Sequence, residues 1–372
     1  MTRPLRLIVS TGVVLALVGF AARSLAQNLS VACYNINGAG APASLGRLGL
    51  QRIVDYLSAD VFLLQEGKGL ANLQDFIADN PQYESVYSSA DGAGNRRVVM
   101  SRFPIVAGSV IEHDLGGNGI VSKRTLLEAT IDIPGQDLVV WVAHWDASSN
   151  AIRVQESSVS AAIVEAALLA SPGGRFVYAG DLNEVDSDPE LARLLDSGLG
   201  LISPPDPNNG RIETLNANPA KTTYLSRRVD YLLPSNSVLT AYTGGVVLNS
   251  LTFPAGALPL GLETADTVDA SDHLPVLVNL DFGLIVGGCG DVNADHDDRW
   301  EGDHAVVDAL LVAQFEVGLR SCASIPAFDG CDVNPAPTGD GICNIVDALR
   351  MAQCSVGLVS CDMSCGAVSC GG

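Results

Sequence analysis

The chain has 372 residues, with 42 Asp and Glu against 21 Lys and Arg, and eight of its nine cysteines lie beyond residue 288. A composition of 47% hydrophobic and 17% charged residues excludes a disordered or collagen-like chain, and the late cysteines exclude one uniform domain. A net charge of −21 argues against tight nucleic-acid binding through a basic surface, because that affinity comes from Lys and Arg displacing phosphate counterions.

Residues 1–26 carry Arg3 and Arg6, an apolar run from Leu7 to Phe20, and Ser24-Leu25-Ala26 with small residues where a signal peptidase reads. This pattern predicts a secretory signal cleaved after Ala26 and a secreted protein, extracellular or periplasmic. A membrane anchor is the alternative, but the run falls short of the roughly 18 to 20 residues that span a bilayer. Cleavage removes three Arg and no acid, leaving 18 bases against 42 acids, a net charge of −24. Export also makes disulfides plausible.

From Asn28 to about Phe282 short apolar strands alternate with amphipathic helices. Leu29–Ile36 reads as a strand, and Leu50, Ile53, Val54 and Leu57 fall at i, i+3, i+4 and i+7 on a helix. Val61–Gln65 reads as a buried strand. Further strands are expected at Val98–Met100, Leu126–Ile133, Leu138–Ala143, Phe176–Ala179, Val229–Leu233 and Pro275–Leu280. A long helix is expected over Ala151–Ala170, with Ile152, Val159, Ile163 and Ala166 on one face. These elements make an α/β domain over residues 27–283, which holds 29 acids against 15 bases.

Past Gly287-Gly288 the texture turns to Cys, Asp, Asn and Gly, and Val307–Cys322 matches Val346–Cys361 at 11 of 16 positions. Residues 284–372 therefore form a second domain built on a duplicated unit.

Polar residues gather where the strands of the large domain end. Asn35 follows Val31-Ala-Cys-Tyr, Glu66 follows Phe62-Leu-Leu-Gln, His144 follows Val140-Trp-Val-Ala, and Asp181 and Asn183 follow Val177-Tyr-Ala-Gly. Asp230 lies in Arg228-Val-Asp-Tyr-Leu, and Asp272-His273 opens the last strand. Any one of these is explained by capping. Six such positions combining carboxylates, amides and two His suit a hard divalent cation and acid–base chemistry.

In order and spacing these residues resemble the endonuclease/exonuclease/phosphatase superfamily, the deoxyribonuclease I-like metal-dependent phosphoesterases. The motifs are Tyr34-Asn35-Ile36, Leu64-Gln65-Glu66, Ser101-Arg102-Phe103-Pro104-Ile105, Ala143-His144, Gly180-Asp181-Leu182-Asn183, Val229-Asp230-Tyr231 and Ser271-Asp272-His273. The resemblance implies a four-layer sandwich of two mixed β-sheets flanked by helices, rather than the doubly wound parallel sheet that strand–helix alternation alone suggests. It implies that Glu66 binds Mg²⁺ or Mn²⁺ with Asn35 and Asp272 nearby, and that Asp181 and Asn183 position the attacking water and the phosphate. It further implies that His273, oriented by Asp230, is the general base, and that His144 protonates the leaving oxygen or stabilises the transition state. Arg97, Arg102 and Arg153 are candidate phosphate contacts, with surface or structural roles as the alternative. Two departures stand out. The His144 position is Tyr in the abasic-site endonuclease branch, and no acid near Asn95-Arg96-Arg97 matches the Glu that pairs with this His in deoxyribonuclease I.

In the tail, Asp291-Val-Asn293-Ala-Asp295 and Asp332-Val-Asn334, each followed by Val-Asp-Ala-Leu, resemble the duplicated calcium loop and helix of dockerin domains. The resemblance implies Ca²⁺ ligands at Asp291, Asn293, Asp295 and Asp308 in one loop and at Asp332, Asn334, Asp340, Asn344 and Asp347 in the other, and a cohesin-like partner. Both loops are longer than the usual 12 positions. The alternative is a disulfide-held repeat that binds no metal, and eight cysteines allow 105 pairings. Cys33, alone on the first strand, reads as a buried thiol.

The expected function is a secreted divalent-metal-dependent phosphoesterase, with a nuclease first. Acidity keeps a lipid or small-molecule phosphodiesterase or phosphatase in view. A non-catalytic binding component is the reading from another class.

Overall fold

A computed structural model describes residues 28–116, 124–133, 137–215, 227–282, 304–317, 319 and 343–355. The expected signal, residues 1–26, lies outside them. Among the described residues no helix is long and apolar enough to cross a membrane. The chain divides into a larger compact unit, Gln27–Gly283, and a second that contains Leu284–Gly372.

In the larger unit β1 (Asn28–Asn35) leads into α1 (Leu45–Leu57), β2 (Val61–Gln65), α2 (Leu70–Ala78), β3 (Glu84–Tyr87) and β4 (Val98–Ser101). Then come β5 (Ile111–Asp114), β6 (Thr125–Ile131), β7 (Leu138–His144), α3 (Asn150–Ala170), β8 (Arg175–Asp181) and α4 (Pro189–Asp196). The unit closes with β9 (Asp230–Pro234), α5 (Asn236–Leu239), β10 (Tyr242–Val247), α6 (Asp266–Ala270) and β11 (Val276–Asp281). The strands form two sheets, in the orders β10-β11-β1-β2-β4-β3 and β5-β6-β7-β8-β9. Both are mixed, with β1–β2 and β7–β8 parallel and their outer neighbours antiparallel.

Alternation along each strand sends successive side chains to opposite faces, and both faces are apolar here. Leu29, Val31 and Cys33 of β1 and Leu63 of β2 join Val140 and Val142 of β7 and Val177 and Ala179 of β8 in the core between the sheets. The opposite faces are covered separately. Ala32, Tyr34, Phe62 and Leu64 pack with Leu50, Ile53, Val54 and Leu57 of α1. Trp141 and Tyr178 pack with Ala161 and Val164 of α3 and with Leu191 and Leu194 of α4. The result is helix, sheet, sheet, helix, four layers with three apolar seams. Each fully buried Leu, Ile or Val stabilises such a seam by about 1.5–3 kcal/mol. The α1 face is the one its spacing predicts, and Ser44 caps its start by accepting from the Arg47 amide at 3.2 Å.

Two expectations need correction. The face α3 buries is Gln155, Glu156, Ser157, Ser160, Ala161 and Val164, whereas Ile152, Val159 and Ile163 are half-buried and Ala166 is exposed. Small and hydrogen-bonded residues let the helix lie close. Ser160 accepts from the Tyr178 hydroxyl at 2.9 Å, and Glu156 accepts the Asp146 amide at 2.7 Å. In addition, β3, β5 and β10 went unmarked by sequence. They are edge strands, largely half-buried or exposed, so they carry no apolar alternation.

In the second unit α7 (His304–Glu316) and α8 (Ile345–Ser355) pack against each other. The duplication is visible in burial: Ala309 and Ala348 are buried, as are Val312 and Met351, while Leu310 and Leu349 are exposed. Asn344 and Asp347 form a reciprocal cap at the start of α8. The Val346 amide donates to Asn344 Oδ1 at 2.7 Å and the Asn344 amide donates to Asp347 Oδ2 at 2.8 Å. These two expected calcium ligands thus serve the helix end. Asp291, Asn293, Asp295, Asp332, Asn334 and Asp340 lie outside the described residues, and Asp308 falls within α7. Cys343 is disulfide-bonded, and Cys33 is a free, buried thiol.

Candidate active site

The inward-facing positions of the central strands are apolar along their length and turn polar, in phase, at one end. Leu29, Val31 and Cys33 are followed by Asn35; Val61 and Leu63 by Gln65; Val140 and Val142 by His144; Val177 and Ala179 by Asp181. Cross-strand register aligns them, with Asn35 opposite Gln65, and His144 opposite Asp181, which is itself opposite Asp230. The candidate site is therefore the polar end of the seam between the sheets.

Backbone geometry brings the row close. Gly180 has φ of +155°, and a Cβ there would lie 2.0 Å from the Ala143 carbonyl oxygen, so only glycine lets β8 run this near β7. Just past the strand ends, Glu66 and Asn183 hold left-handed φ values of 58° and 52°. Such conformations cost about 1–3 kcal/mol and gather where surrounding structure imposes them. Asn183 is pinned by its amide to Asp181 Oδ1 and by Nδ2 to the Trp145 carbonyl, both at 3.0 Å. The Ser271 hydroxyl donates to the Asn35 carbonyl at 2.6 Å and accepts the His273 amide at 3.1 Å, clipping the last motif to the end of β1.

His273 Nδ1 contacts Asp230 Oδ2 at 2.8 Å, and its Nε2 lies 3.4 Å from Asn35 Nδ2 and 3.6 Å from Asp181 Oδ2. Asn35 Nδ2 donates to Asp181 Oδ2 at 3.0 Å. From the other side His144 Nε2 lies 3.6 Å from both Asp181 Oδ2 and Glu66 Oε1. Lys68 Nζ pairs with Glu66 Oε2 and donates to Asn37 Oδ1 at 3.0 Å.

The two imidazoles have opposite electrostatics. Burial pulls the His273 pKa down, but Asp230 and Asp181 outweigh it and raise it to about 10. Burial, then the Arg124 and Arg97 guanidiniums, hold His144 well below the usual histidine range. Asp181 is pushed up to about 7 by burial, against the pull of His273, with Asp230 adding to the rise.

Of the expected residues, Asn35, Glu66, His144, Asp181, Asp230 and His273 come together, Asn183 is tied to their backbone, and Asp272 is half-buried beside His273. The three arginines do not join them. Arg97 is fully buried, paired with Asp91 at 3.4 Å and bonded to Thr125. Arg102 lies at the far end of the first sheet, where Ser101 pairs with Val61 rather than with the Gln65 end, and it bonds Ser58 at 2.6 Å. Arg153 is bound to Glu184 and to the Asp146 carbonyl at 3.0 Å, behind the loops that follow β7 and β8. Arg97 and Arg153 are committed to buried acids, and Arg102 stands at the wrong end of the sheet, so none of the three is offered to a phosphate at the site.

Sequence reading missed Arg124 and Asp91. Arg124 Nη1 lies 3.0 Å from His144 Nδ1 and 2.6 Å from Asp91 Oδ2. The acid sought near Asn95 exists as Asp91, but an arginine stands between it and the histidine. The available signal was Arg124 one residue before β6, at the strand's site end.

The residues fit a divalent cation. Glu66, Asp181 and Asp230 supply hard carboxylate oxygens, Asp230 Oδ1 is buried without a partner, and a lysine ammonium already satisfies Glu66. Among the described residues Asp181, Asp230 and His273 form a group of His and Asp that could hold a metal ion, with ligand atoms within 4.8 Å of one another. Because Asp230 Oδ2 is committed to His273 Nδ1, Asp230 serves the imidazole first.

A model of the endonuclease/exonuclease/phosphatase family matches residues 32–273. Among solved structures, a mannosyl-6-phosphatase of Bacteroides thetaiotaomicron is similar at 20% identity and a TM-score of 0.54, covering 68% of this chain and 100% of that one. Truncated TDP2 of Caenorhabditis elegans is similar at 18% identity and a TM-score of 0.52, covering 68% and 97%. TDP2 of D. rerio complexed with a single-strand DNA product is similar at 22% identity and a TM-score of 0.50, covering 68% and 99%. No curated protein matches the chain. The chain belongs to the endonuclease/exonuclease/phosphatase family, whose members are metal-dependent phosphoric ester hydrolases.

Proposed function

We propose that the protein hydrolyses a phosphoester of a compact substrate, using a divalent cation, with His273 as general base. The observation that carries this reading is the Asp230–His273 pair facing Asp181, with His144 on the opposite side at 3.6 Å from the same carboxylate oxygen. Asp230 orients the ring and supports its protonated form, which the metal-free site favours up to about pH 10; a divalent cation on the neighbouring carboxylates would lower that value and free Nε2 to accept a proton from an attacking water. Asp181 and Asn35 position that water and a phosphoryl oxygen. Mg²⁺ or Mn²⁺ held by Glu66, with Asn35, Asp272 and Asp181 nearby, would neutralise charge developing on the phosphate.

Two observations favour a compact substrate over a long nucleic acid. The domain carries 29 acids against 15 bases, and Arg97, Arg102 and Arg153 are all committed to other groups. A nuclease is the second reading, supported by the likeness to a TDP2 bound to single-strand DNA product. The test is a panel with Mg²⁺ or Mn²⁺: plasmid DNA, RNA, sphingomyelin, bis-p-nitrophenyl phosphate, a sugar phosphate and p-nitrophenyl phosphate. Turnover of the small esters above DNA supports the first reading. DNA as the best substrate supports the second, and no metal-dependent turnover on any of them refutes both.

The protein is further read as exported after loss of residues 1–26, with a calcium-binding repeat that docks to a cohesin-like partner. The repeat-related, exposed Leu310 and Leu349 support a docking face. Calorimetry tests the calcium reading: the intact chain must take up Ca²⁺ beyond what a chain ending at residue 283 takes up at its catalytic site.

A further inference from the structure

We propose that Arg124, fixed by Asp91, is a positioning residue that sets His144 as a hydrogen-bond donor, with its Nε2–H aimed at the reacting phosphoryl group. A guanidinium has five donors and no acceptor. Arg124 Nη1 lies 3.0 Å from His144 Nδ1, so that ring nitrogen must accept and the ring's proton must sit on Nε2. Nε2 is the atom that faces Glu66 and Asp181, at 3.6 Å from each. The two hydrogens of Nη1 are both used, the second at 2.6 Å on Asp91 Oδ2.

Asp91 is held in turn. Its carboxylate accepts the Ala93 and Asn95 amides at 2.9 Å and pairs with Arg97, itself bonded to Thr125. The chain Arg97, Asp91, Arg124, His144 is a largely buried relay of fixed orientation that ends on one ring nitrogen.

The contrast with His273 shows what the relay achieves. A carboxylate on His273 Nδ1 makes that nitrogen the donor, so that when the ring is neutral its lone pair lies on Nε2, as a base requires. A guanidinium on His144 Nδ1 does the reverse. Two rings of the same chemistry, each with Nε2 at 3.6 Å from Asp181 Oδ2, are thereby given opposite roles. His144 then stabilises charge on a phosphoryl or leaving oxygen by donating a hydrogen bond, without first becoming an imidazolium.

This deepens the phosphoesterase reading and rests on it for the kinetic arm only. The spectroscopic arm is a two-bond ¹H–¹⁵N spectrum of the full chain labelled at its five histidines, with His144 assigned by loss of its signals in His144→Gln. At pH 7 the wild type should show Nδ1 unprotonated and Nε2 protonated. Arg124→Met should mix or invert that pattern, and Arg124→Lys, which keeps a donor, should restore it. On bis-p-nitrophenyl phosphate Arg124→Met should lower kcat about 10- to 100-fold, as loss of an orienting partner does, with KM moved much less, and Arg124→Lys should recover most of it. A wild-type ring protonated at Nδ1, or an Arg124→Met ring unchanged in tautomer, overturns the proposal. If Arg124→Met does not fold, the wild-type and Arg124→Lys spectra decide. If no phosphoester is turned over, the functional reading fails while the tautomer still tests the relay.

Discussion

The two sheets meet at the same open end but equip it differently. β7, β8 and β9 present His144, Asp181 and Asp230 as one register row, exposed by 1%, 2% and 0%. β1 and β2 present Asn35 and Gln65, and then Glu66, which turns out at a positive φ to meet Lys68, 42% exposed. The first half is closed, with His144 held at Nδ1 by Arg124 and Asp230 Oδ2 held by His273. The second half opens to solvent at Glu66, where a partly exposed ammonium already balances the carboxylate. A cation entering from solvent displaces an ammonium far more cheaply than it displaces a buried hydrogen bond. Proton handling thus belongs to the second sheet and the preceding loop of β11, and cation exchange belongs to the first.

The largest test of this division is His273→Ala. Removing the proposed base should lower kcat about 10²- to 10⁴-fold in the folded protein, and should lower the melting temperature too, because buried Asp230 loses its partner. Near-normal turnover would refute the assignment. Next comes Gly180→Ala, which attacks the closed half through its backbone. A Cβ 2.0 Å from a backbone carbonyl cannot be accommodated by side-chain motion, so β7 and β8 must separate and the His144–Asp181 alignment with them. The expected cost is about 1–3 kcal/mol or more in denaturant unfolding, with loss of turnover. A variant of full stability would show that the close approach is not required.

How much of this was readable beforehand follows the same division. Central strands were legible because both their faces are buried, and Val61–Gln65 was read to the residue. Edge strands such as Ile111-Glu-His-Asp114 were not, since an edge half in water needs no apolar pattern. The inward face of α3 was misread because it is built from Ser157, Ser160 and Glu156, whose burial depends on partners distant in sequence. Site residues ending an in-phase apolar run, such as Asp181 after Val177 and Ala179, were found. Arg124 and Asp91 were missed because they act through His144 from a loop and a strand entrance, and no local period marks them. The three arginines were misassigned because a sequence shows a charge but not the acid that already holds it.

A smaller effect comes from pH in the metal-free protein. Burial and Asp230 raise Asp181 to about 7, above the roughly 3.9 of an unfolded Asp. A raised pKa means that the folded state binds the proton more tightly, so this contribution is present in acid and is lost as pH rises through about 7. His273, raised to about 10 by Asp230 and Asp181, has the same sign, and its contribution is lost only as pH rises through that value. In EDTA the melting temperature should therefore fall between pH 5 and 7.5, and Asp181→Asn should flatten that fall. An equal slope in the variant would remove Asp181 as its origin.

The smallest expected effect is the sharpest check on where the site ends. Arg102 was a reasonable phosphate contact from its motif, yet it lies beyond Ser101, opposite Val61, while Glu66 follows the other end of β2. It bonds Ser58, lies 3.8 Å from Asp60 and sits over the Tyr83 ring, all at that far end. Partly exposed pairs of this kind contribute about 0–1 kcal/mol. Arg102→Ala should leave kcat and KM for bis-p-nitrophenyl phosphate within about twofold and lower stability by no more than about 1 kcal/mol, measured by denaturant unfolding. A large rise in KM would mean that the substrate extends along the whole sheet, a length that a compact phosphoester does not have. That result would return the nuclease reading to first place.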